Sequence, residues 1–261
     1  MMNPFAQRLP IFTEELEPEA GPEVAKSPNT DLTLSLAPAR VQRMLGFLVA
    51  GLVISTFAAQ LLKWRGKALG VARFFDADVK VNFPTGFKVF ALATGALLAW
   101  VVSRAARAQS DPLARHWRLL AAVMAFVAID EMAYVHQSMG SLLKDHIDTS
   151  GILHHAWIII YLPVAFVIGI RFIPFLRGLQ SDLRIRLIAS GILFAGGSAG
   201  VEMLKGLLAS SEGEDSLRYF LTTALSDSLE MIGLAIFIGA LLVELGRRAP
   251  VIALRVVTPA R

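Results

Sequence analysis

Long apolar segments alternate along the chain with shorter polar ones, and this pattern is the first guide to the structure. Each apolar segment ends at Lys, Arg, Gly, Pro or an acidic loop. A helix needs about 20 residues, at about 1.5 Å each, to cross roughly 30 Å of bilayer hydrocarbon. The pattern predicts an all-α integral membrane protein, a bundle of about six transmembrane helices within residues 41–248. The segments are 42–62, 87–104, 118–138, 152–175, 186–209 and 218–245.

The third segment is unlike the others because its apolar part ends at Ile129. Beyond that residue it carries Asp130, Glu131 and His136. Polar groups at this depth are tolerated only where other helices shield them from lipid. We therefore expect this end of the third helix to face the interior of the bundle.

The two ends of the chain lack such segments. Residues 1–40 hold six prolines and a run of glutamates, which is typical of a flexible tail, and residues 249–261 form a short basic tail. Lys and Arg are concentrated in these tails and in the second and fourth loops. The positive-inside rule then makes both termini cytoplasmic, in a multi-pass protein of the inner (plasma) membrane.

The loop after the first helix departs from this charge pattern, because its basic residues alternate with aromatic ones. A segment of this kind is expected to lie in the membrane interface. Since the cations sit beside apolar segments, and 55% of the chain is hydrophobic, nucleic acid is not an expected partner. The expected partners are the lipid bilayer and either another membrane protein or a second copy of the chain. The basic residues of the loop are Lys63, Arg65, Lys67, Arg73, Lys80 and Lys88.

Small residues recur in the fifth segment at Gly191, Ala195, Gly196, Ala199 and Gly200. Spacing by four places most of them on one face of a helix. Small side chains on one face let a neighbouring helix approach closely. The pattern predicts close helix packing along this stripe.

Ionisable residues inside the apolar segments are the main candidates for function, because a charge in the bilayer costs at least ~2.5–3.5 kcal/mol. At about 1.5 Å per residue, four helices bring such residues to the same half of the membrane. Asp227 and Glu230, spaced i, i+3, face the same way. Glu131 and His136 lie about 140° apart, so they join one site only at a distorted helix end. The set comprises Asp130, Glu131, His136, His154, His155, Glu202, Lys205, Asp227 and Glu230.

Carboxylate and imidazole groups without thiolates are typical ligands of zinc, iron or manganese. The chain has no cysteine, so the expected cofactor is one of these metals. Such a centre would serve a hydrolase or an oxidoreductase acting on an apolar substrate. Asp130 or Asp227 would then be a general base or support a ligand. The metal ligands would come from Glu131, His136, His154, His155, Glu202 and Glu230.

Two other interpretations of the same residues stay open. In the first, these residues form a metal-free proton or ion relay in a carrier. In the second, they make hydrogen bonds between the helices of an accessory subunit, with Glu202 and Lys205 paired. The sequence also argues against two classes of metal-dependent membrane enzyme. The H-E-x-x-H motif of zincin-like proteases is absent, and five histidines are too few for the His-rich boxes of membrane desaturases.

Residues 129–137, IDEMAYVHQ, resemble a D-E-x4-H-E signature of an uncharacterised family of bacterial multi-pass membrane proteins. That family also has a later helix with a glutamate, as in residues 229–233, LEMIG. Gln137 departs from the final Glu of the signature, and Ser226 and Asp227 stand where two acidic residues are expected. The resemblance therefore implies one or two fewer ligands in this chain. It implies no activity, because the family has none established.

Overall fold

The computed structural model of the protein describes residues 32–33, 37–67, 70–76, 79, 81–249 and 253–254. In this part of the chain, five helices are long and apolar enough to cross a membrane, and there are six spans if a pair of helices bent by 64° is taken as one. The predicted all-α bundle of about six transmembrane helices is confirmed. The spans are α1 (Pro38–Trp64), α2 (Phe83–Ala108), α3 with α4 (Ala114–Ala133 and Val135–Lys144), α5 (Ile158–Gly178), α6 with α7 (Ser181–Ala195 and Glu202–Glu212) and α8 (Leu217–Arg248).

Short elements complete the described chain. One-turn 3-10 helices occupy Ala72–Phe75 and Gly151–Leu153, and a π-helical segment, Gly196–Val201, joins α6 to α7. A separate unit contains an antiparallel pair of two-residue strands, β1 (Leu32–Thr33) and β2 (Ala253–Leu254). Most of the predicted flexible tail and of the basic C-terminal tail, at 1–31, 34–36, 250–252 and 255–261, lies outside the described residues.

Among the helix starts that differ from the predicted ones, two decide where polar residues of the bundle lie. The side chain of Asn82 accepts a hydrogen bond from the N–H of Thr85 at 2.7 Å, and Pro84 stands in the first turn, so α2 begins at Phe83 rather than near 87. The fourth span begins at Ile158 rather than near 152, because residues 151–153 form a 3-10 turn that starts at Gly151 with φ +60°. The segment before α5, including His154 and His155, is therefore a loop.

α8 is the central helix of the bundle. In its most apolar stretch 67% of the residues are buried, against 17–39% in the other unbent spans. It packs against α1, α2, α6 and α7, and α2 packs in turn against α3. Phe237 and Leu241 of α8 belong to one apolar core, and Met231 and Leu234 belong to a second. Polar side chains on α8 are consequently shielded from lipid by the surrounding helices.

Two glycines set the close approach of the α6–α7 span to α8. A Cβ on Gly233 would lie 2.9 Å from backbone of α6, and one on Gly197 would lie 2.8 Å from backbone of α8. Rigid backbone cannot move aside, so a side chain would force the helices apart. The predicted stripe is wrong, because Gly197 lies in the π-helical segment, whose wider turn shifts the packed face. Apart from the adjoining backbone of its own helix, no described atom would lie within 4 Å of a Cβ on Gly191, Gly196 or Gly200.

α5 is the peripheral span. It is buried only near its ends, at Ile158, Phe172 and Phe175, while residues 162–167 are exposed in succession. An apolar helix exposed in this way faces lipid in a bilayer. The first turn of α5 nevertheless brings Tyr161 onto an acidic residue of α3.

Candidate functional site

Four ionisable side chains from three helices meet inside the bundle, and we call them the lysine–carboxylate cluster: Lys88, Glu131, Asp227 and Glu230. The Lys88 Nζ lies 2.9 Å from Oε1 of Glu131, 2.8 Å from Oδ1 of Asp227 and 3.0 Å from Oε2 of Glu230. The side chains are between 8% and 18% exposed. One ammonium group therefore contacts three carboxylates, each at the length of a charge-assisted hydrogen bond.

Local sequence explains how each member reaches this point. The Asn82 cap starts α2 early enough to place Lys88 inside the helix, facing α8. Asp227 and Glu230, one turn apart on α8, both reach the ammonium, as their i, i+3 spacing predicts. Glu131 reaches it from the last turn of α3. The cluster thus joins three helices that are distant in sequence.

The assignment of Lys88 to a basic interfacial loop is wrong. The residue is buried within α2 and is part of the cluster. A signal was present in the sequence: Lys88 falls inside the apolar segment 87–104, and Asn82 followed by Pro84 is a helix start. Lys80, of the same predicted loop, lies outside the described residues.

The cluster is not balanced in charge. One cation faces three carboxylates, so their full ionisation would leave two uncompensated negative charges. In addition, Oδ2 of Asp227 is buried, and no described residue donates a hydrogen bond to it. Unpaired charges and polar atoms are costly in apolar surroundings. The arrangement is therefore suited to accepting protons or a further cation.

A second group, the Asp130 hub, consists of Asp130, His136 and Tyr161. The carboxylate of Asp130 accepts a hydrogen bond from the backbone N–H of His136 at 3.0 Å and one from the Tyr161 hydroxyl at 2.6 Å. Its Oδ2 lies 2.6 Å from Nδ1 of His136. The three bonds hold the junction of α3 with α4 and fasten α5 to it.

The hub coincides with the bend between α3 and α4. Tyr134, at the bend, has left-handed backbone angles, φ 54° and ψ 37°. This conformation costs roughly 1–2 kcal/mol for a residue with a side chain. The distorted helix end that would bring His136 into a site is present, but it turns His136 onto Asp130 rather than onto the cluster.

A third group lies where the π-helical segment ends. Lys205 Nζ is 2.7 Å from Oε1 of Glu202, which is the pairing that the structural interpretation of the sequence expects. Nε2 of His155 is 3.2 Å from Oε2 of Glu202, although its angle is not that of a hydrogen bond. His154 contacts the exposed Glu214 at 3.3 Å. The two adjacent histidines thus have different partners.

Burial of His155 has a consequence that can be measured. Burial lowers the pKa of His155 to about 4. Glu202 opposes this shift, whereas the neighbouring Lys205, His154 and Lys144 add to it. The unfolded chain, with an ordinary histidine pKa of about 6.5, therefore takes up the proton first as pH falls. The stabilising effect of the neutral imidazole is complete above about pH 6.5 and is lost as pH falls toward 4.

Between pH 7 and pH 5 we expect this residue alone to lower the free energy of unfolding by about 2 kcal/mol. The measurement is the thermal midpoint of the detergent-solubilised protein at both pH values. His155→Gln should lose this part of the pH dependence, and His146→Gln, in an exposed loop, should keep it. An unchanged pH dependence in His155→Gln would contradict the assignment.

The residues singled out from the sequence therefore form three groups rather than one. Glu131, Asp227 and Glu230 surround Lys88, whereas the histidines of the expected ligand set lie in the other two groups. Within the described residues, no three His, Asp or Glu side chains are placed to hold one metal ion. The residues as arranged do not fit a shared metal centre, and the metal site stays a prediction.

Comparison with known proteins identifies the family of the chain. Residues 44–245 match the model of a family described as Domain of unknown function (DUF8692). The chain belongs to this family. No curated protein and no solved structure matches the chain. The matched region runs from α1 into α8 and so includes all three groups of polar residues. The match confirms the resemblance to an uncharacterised family. The motif and the bacterial origin of that family stay predictions.

Proposed function

We propose that this DUF8692 protein is a proton-handling membrane protein, a carrier or channel in which the lysine–carboxylate cluster takes up and releases protons. The observation that carries the proposal is the contact of one buried ammonium with three carboxylates at 2.8–3.0 Å. Such a group gains or loses a proton with little change in geometry, because Lys88 can shift among its partners. Ionisable residues inside membrane helices commonly serve proton relays.

The surrounding backbone supports the same proposal. The bend at Tyr134 follows Glu131 closely, and the π-helical segment packs on α8 next to Glu230. Interrupted helices line ion and substrate sites in many transporters, and π-helical segments often occur at functional sites. Asp130 of the hub directly precedes Glu131 of the cluster in the sequence, so the two groups adjoin at the end of α3.

The orientation of the bundle in the membrane is a part of this proposal. Basic residues are dense at the end of the bundle where α1 and α6 begin and α2, α5 and α8 end. The positive-inside rule supports cytoplasmic termini and insertion in the inner membrane. The cluster then lies in the outer half, since Lys88 is in the second turn of α2 and Asp227 is about three turns into α8.

Proteoliposomes that contain a pH-sensitive dye test the proposal. With an imposed pH gradient and a potassium diffusion potential, the wild-type protein should dissipate the gradient faster than empty vesicles. Asp227→Asn with Glu230→Gln should slow this flux at least tenfold, because the exchanging groups are removed. Asp182→Asn, an exposed residue paired with Arg247 on α8, is the matched control and should retain the flux. Equal rates for wild type and the double variant would remove the proposal.

A metal-dependent hydrolase or oxidoreductase remains the other candidate from the sequence, with zinc, iron or manganese as cofactor. Elemental analysis of the detergent-purified protein decides it. Near-stoichiometric metal that is lost in a Glu131→Ala, His155→Ala double variant would favour the enzyme. A partner protein that co-purifies in fixed stoichiometry would instead favour an accessory subunit.

A further inference from the structure

A cleft opens beside the end of α1, and we call it the α1 cleft. Its volume is about 320 Å³, and it lies between the last turns of α1 and the 3-10 turn of residues 72–75. One part of its wall is apolar and another is charged. The apolar residues are Ala59, Ala72 and Val79, and the charged ones are Lys63, Arg73 and Asp76.

Asp76 holds the cleft in shape. Its Oδ1 accepts hydrogen bonds from Nε2 of Gln60 at 3.1 Å and from Nζ of Lys63 at 3.2 Å. Gln60 is fully buried in α1, so the contact fixes the 3-10 turn against the helix. Because Arg73 belongs to that turn, its exposed side chain is presented at the cleft. The site is therefore preformed.

The charge around the cleft is positive. Among the described residues of the segment 63–76, four cations stand against the single carboxylate of Asp76. Cations placed at the end of a membrane-spanning helix attract anionic lipid headgroups. The four cations are Lys63, Arg65, Lys67 and Arg73.

Aromatic side chains mark the depth of this surface in the membrane. Trp64, Phe74 and Phe83 are exposed beside the cleft, at 41%, 53% and 56%. Aromatic residues are enriched at the level of the headgroups, where apolar and polar surroundings meet. A molecule in the cleft would thus be at the depth of lipid phosphates, with its apolar part toward the bilayer.

We propose that the α1 cleft binds the headgroup of an anionic phospholipid. Arg73 and Lys63 contact the phosphate, and the apolar wall contacts the glycerol and the first acyl carbons. This assignment is independent of the proton-handling proposal, because the cleft shares no residue with the cluster or the hub. It favours anionic over zwitterionic lipid because the net positive charge of the segment adds long-range attraction.

Native mass spectrometry of protein released from nanodiscs tests the proposal. With equal amounts of phosphatidylglycerol and phosphatidylcholine, the wild-type protein should retain phosphatidylglycerol preferentially. Arg73→Gln should reduce this retention about fivefold, the usual effect of one basic residue near an anionic membrane. Arg218→Gln is the matched control, because Arg218 is 74% exposed and lies at the same end of the bundle, where Lys63 faces the ring of Phe220.

Three results of this experiment would contradict lipid binding in the α1 cleft. No preference for phosphatidylglycerol, or the same retention in Arg73→Gln and Arg218→Gln, would overturn the proposal. Loss of the bound lipid on addition of millimolar inorganic phosphate would also overturn it, since the site would then recognise the free anion. Elution of Arg73→Gln at the wild-type gel-filtration volume checks its fold. Quenching of tryptophan fluorescence by brominated phosphatidylglycerol, taken as the part that is lost in Trp64→Phe, provides a second readout in folded protein.

Discussion

Lys88→Met is expected to destabilise the protein by about 3–5 kcal/mol, the usual cost of removing one partner from a buried ion pair. The variant keeps the length of the side chain but leaves Glu131, Asp227 and Glu230 facing one another without a cation. Repulsion among the carboxylates and their desolvation then act against folding. The thermal midpoint in detergent should fall by on the order of 10 °C.

A second variant separates this cause from a simple packing defect. Adding Asp227→Asn and Glu230→Gln to Lys88→Met removes two of the negative charges and should restore most of the lost stability. Lys144→Met, at the exposed end of α4, is the matched control and should leave the midpoint within about 2 °C of wild type. A Lys88→Met protein as stable as wild type would show that the ammonium does not hold the carboxylates together.

The helices of this protein were predictable because their cause is local. Crossing a bilayer requires a long apolar stretch, and each of the six stretches can be seen without knowing its neighbours. The pairing of Asp227 with Glu230 on one face of α8 was predictable for the same reason, since helical geometry alone decides it. Each of these predictions requires only residues that are close in sequence.

The centre of the cluster was missed because its cause is not local. Lys88 is separated by 139 and 142 residues from its partners on α8, and only the packing of α2 on α8 brings them together. Tyr161 was missed for the same reason, because its contact with Asp130 depends on where α5 begins. The close approach at Gly197 was misplaced, since the regular helical period does not extend through a π-helical segment.

Asp130→Asn should destabilise the protein by about 2–4 kcal/mol, because hydrogen bonds to a charged group contribute about 1.5–3 kcal/mol each and are partly replaced by the amide. Asparagine has the shape of aspartate but only one acceptor oxygen. Its NH2 group would face one of the donors that now meet the carboxylate, the His136 backbone N–H, the His136 ring or the Tyr161 hydroxyl. Thermal midpoints measured beside wild type give the size of the effect.

One further variant and one control show how much of the lost stability comes from a single hydrogen bond of the hub. Tyr161→Phe removes one of the bonds and should cost about 1–2 kcal/mol, while Ser141→Ala, on an exposed position of α4, should cost less than about 0.5 kcal/mol. Equal stability of Asp130→Asn and Ser141→Ala would contradict the role of the hub.

The same substitution tests what maintains the bend. The left-handed conformation of Tyr134 is unfavourable by itself, and the bonds to Asp130 offset it. Without them, α3 and α4 lose the restraint that keeps the span broken, and the amides of residues 134–140 should exchange with deuterium faster in Asp130→Asn than in Ser141→Ala. Faster exchange confined to this segment would locate the lost stability at the bend, whereas uniform acceleration across all helices would assign it to the bundle as a whole.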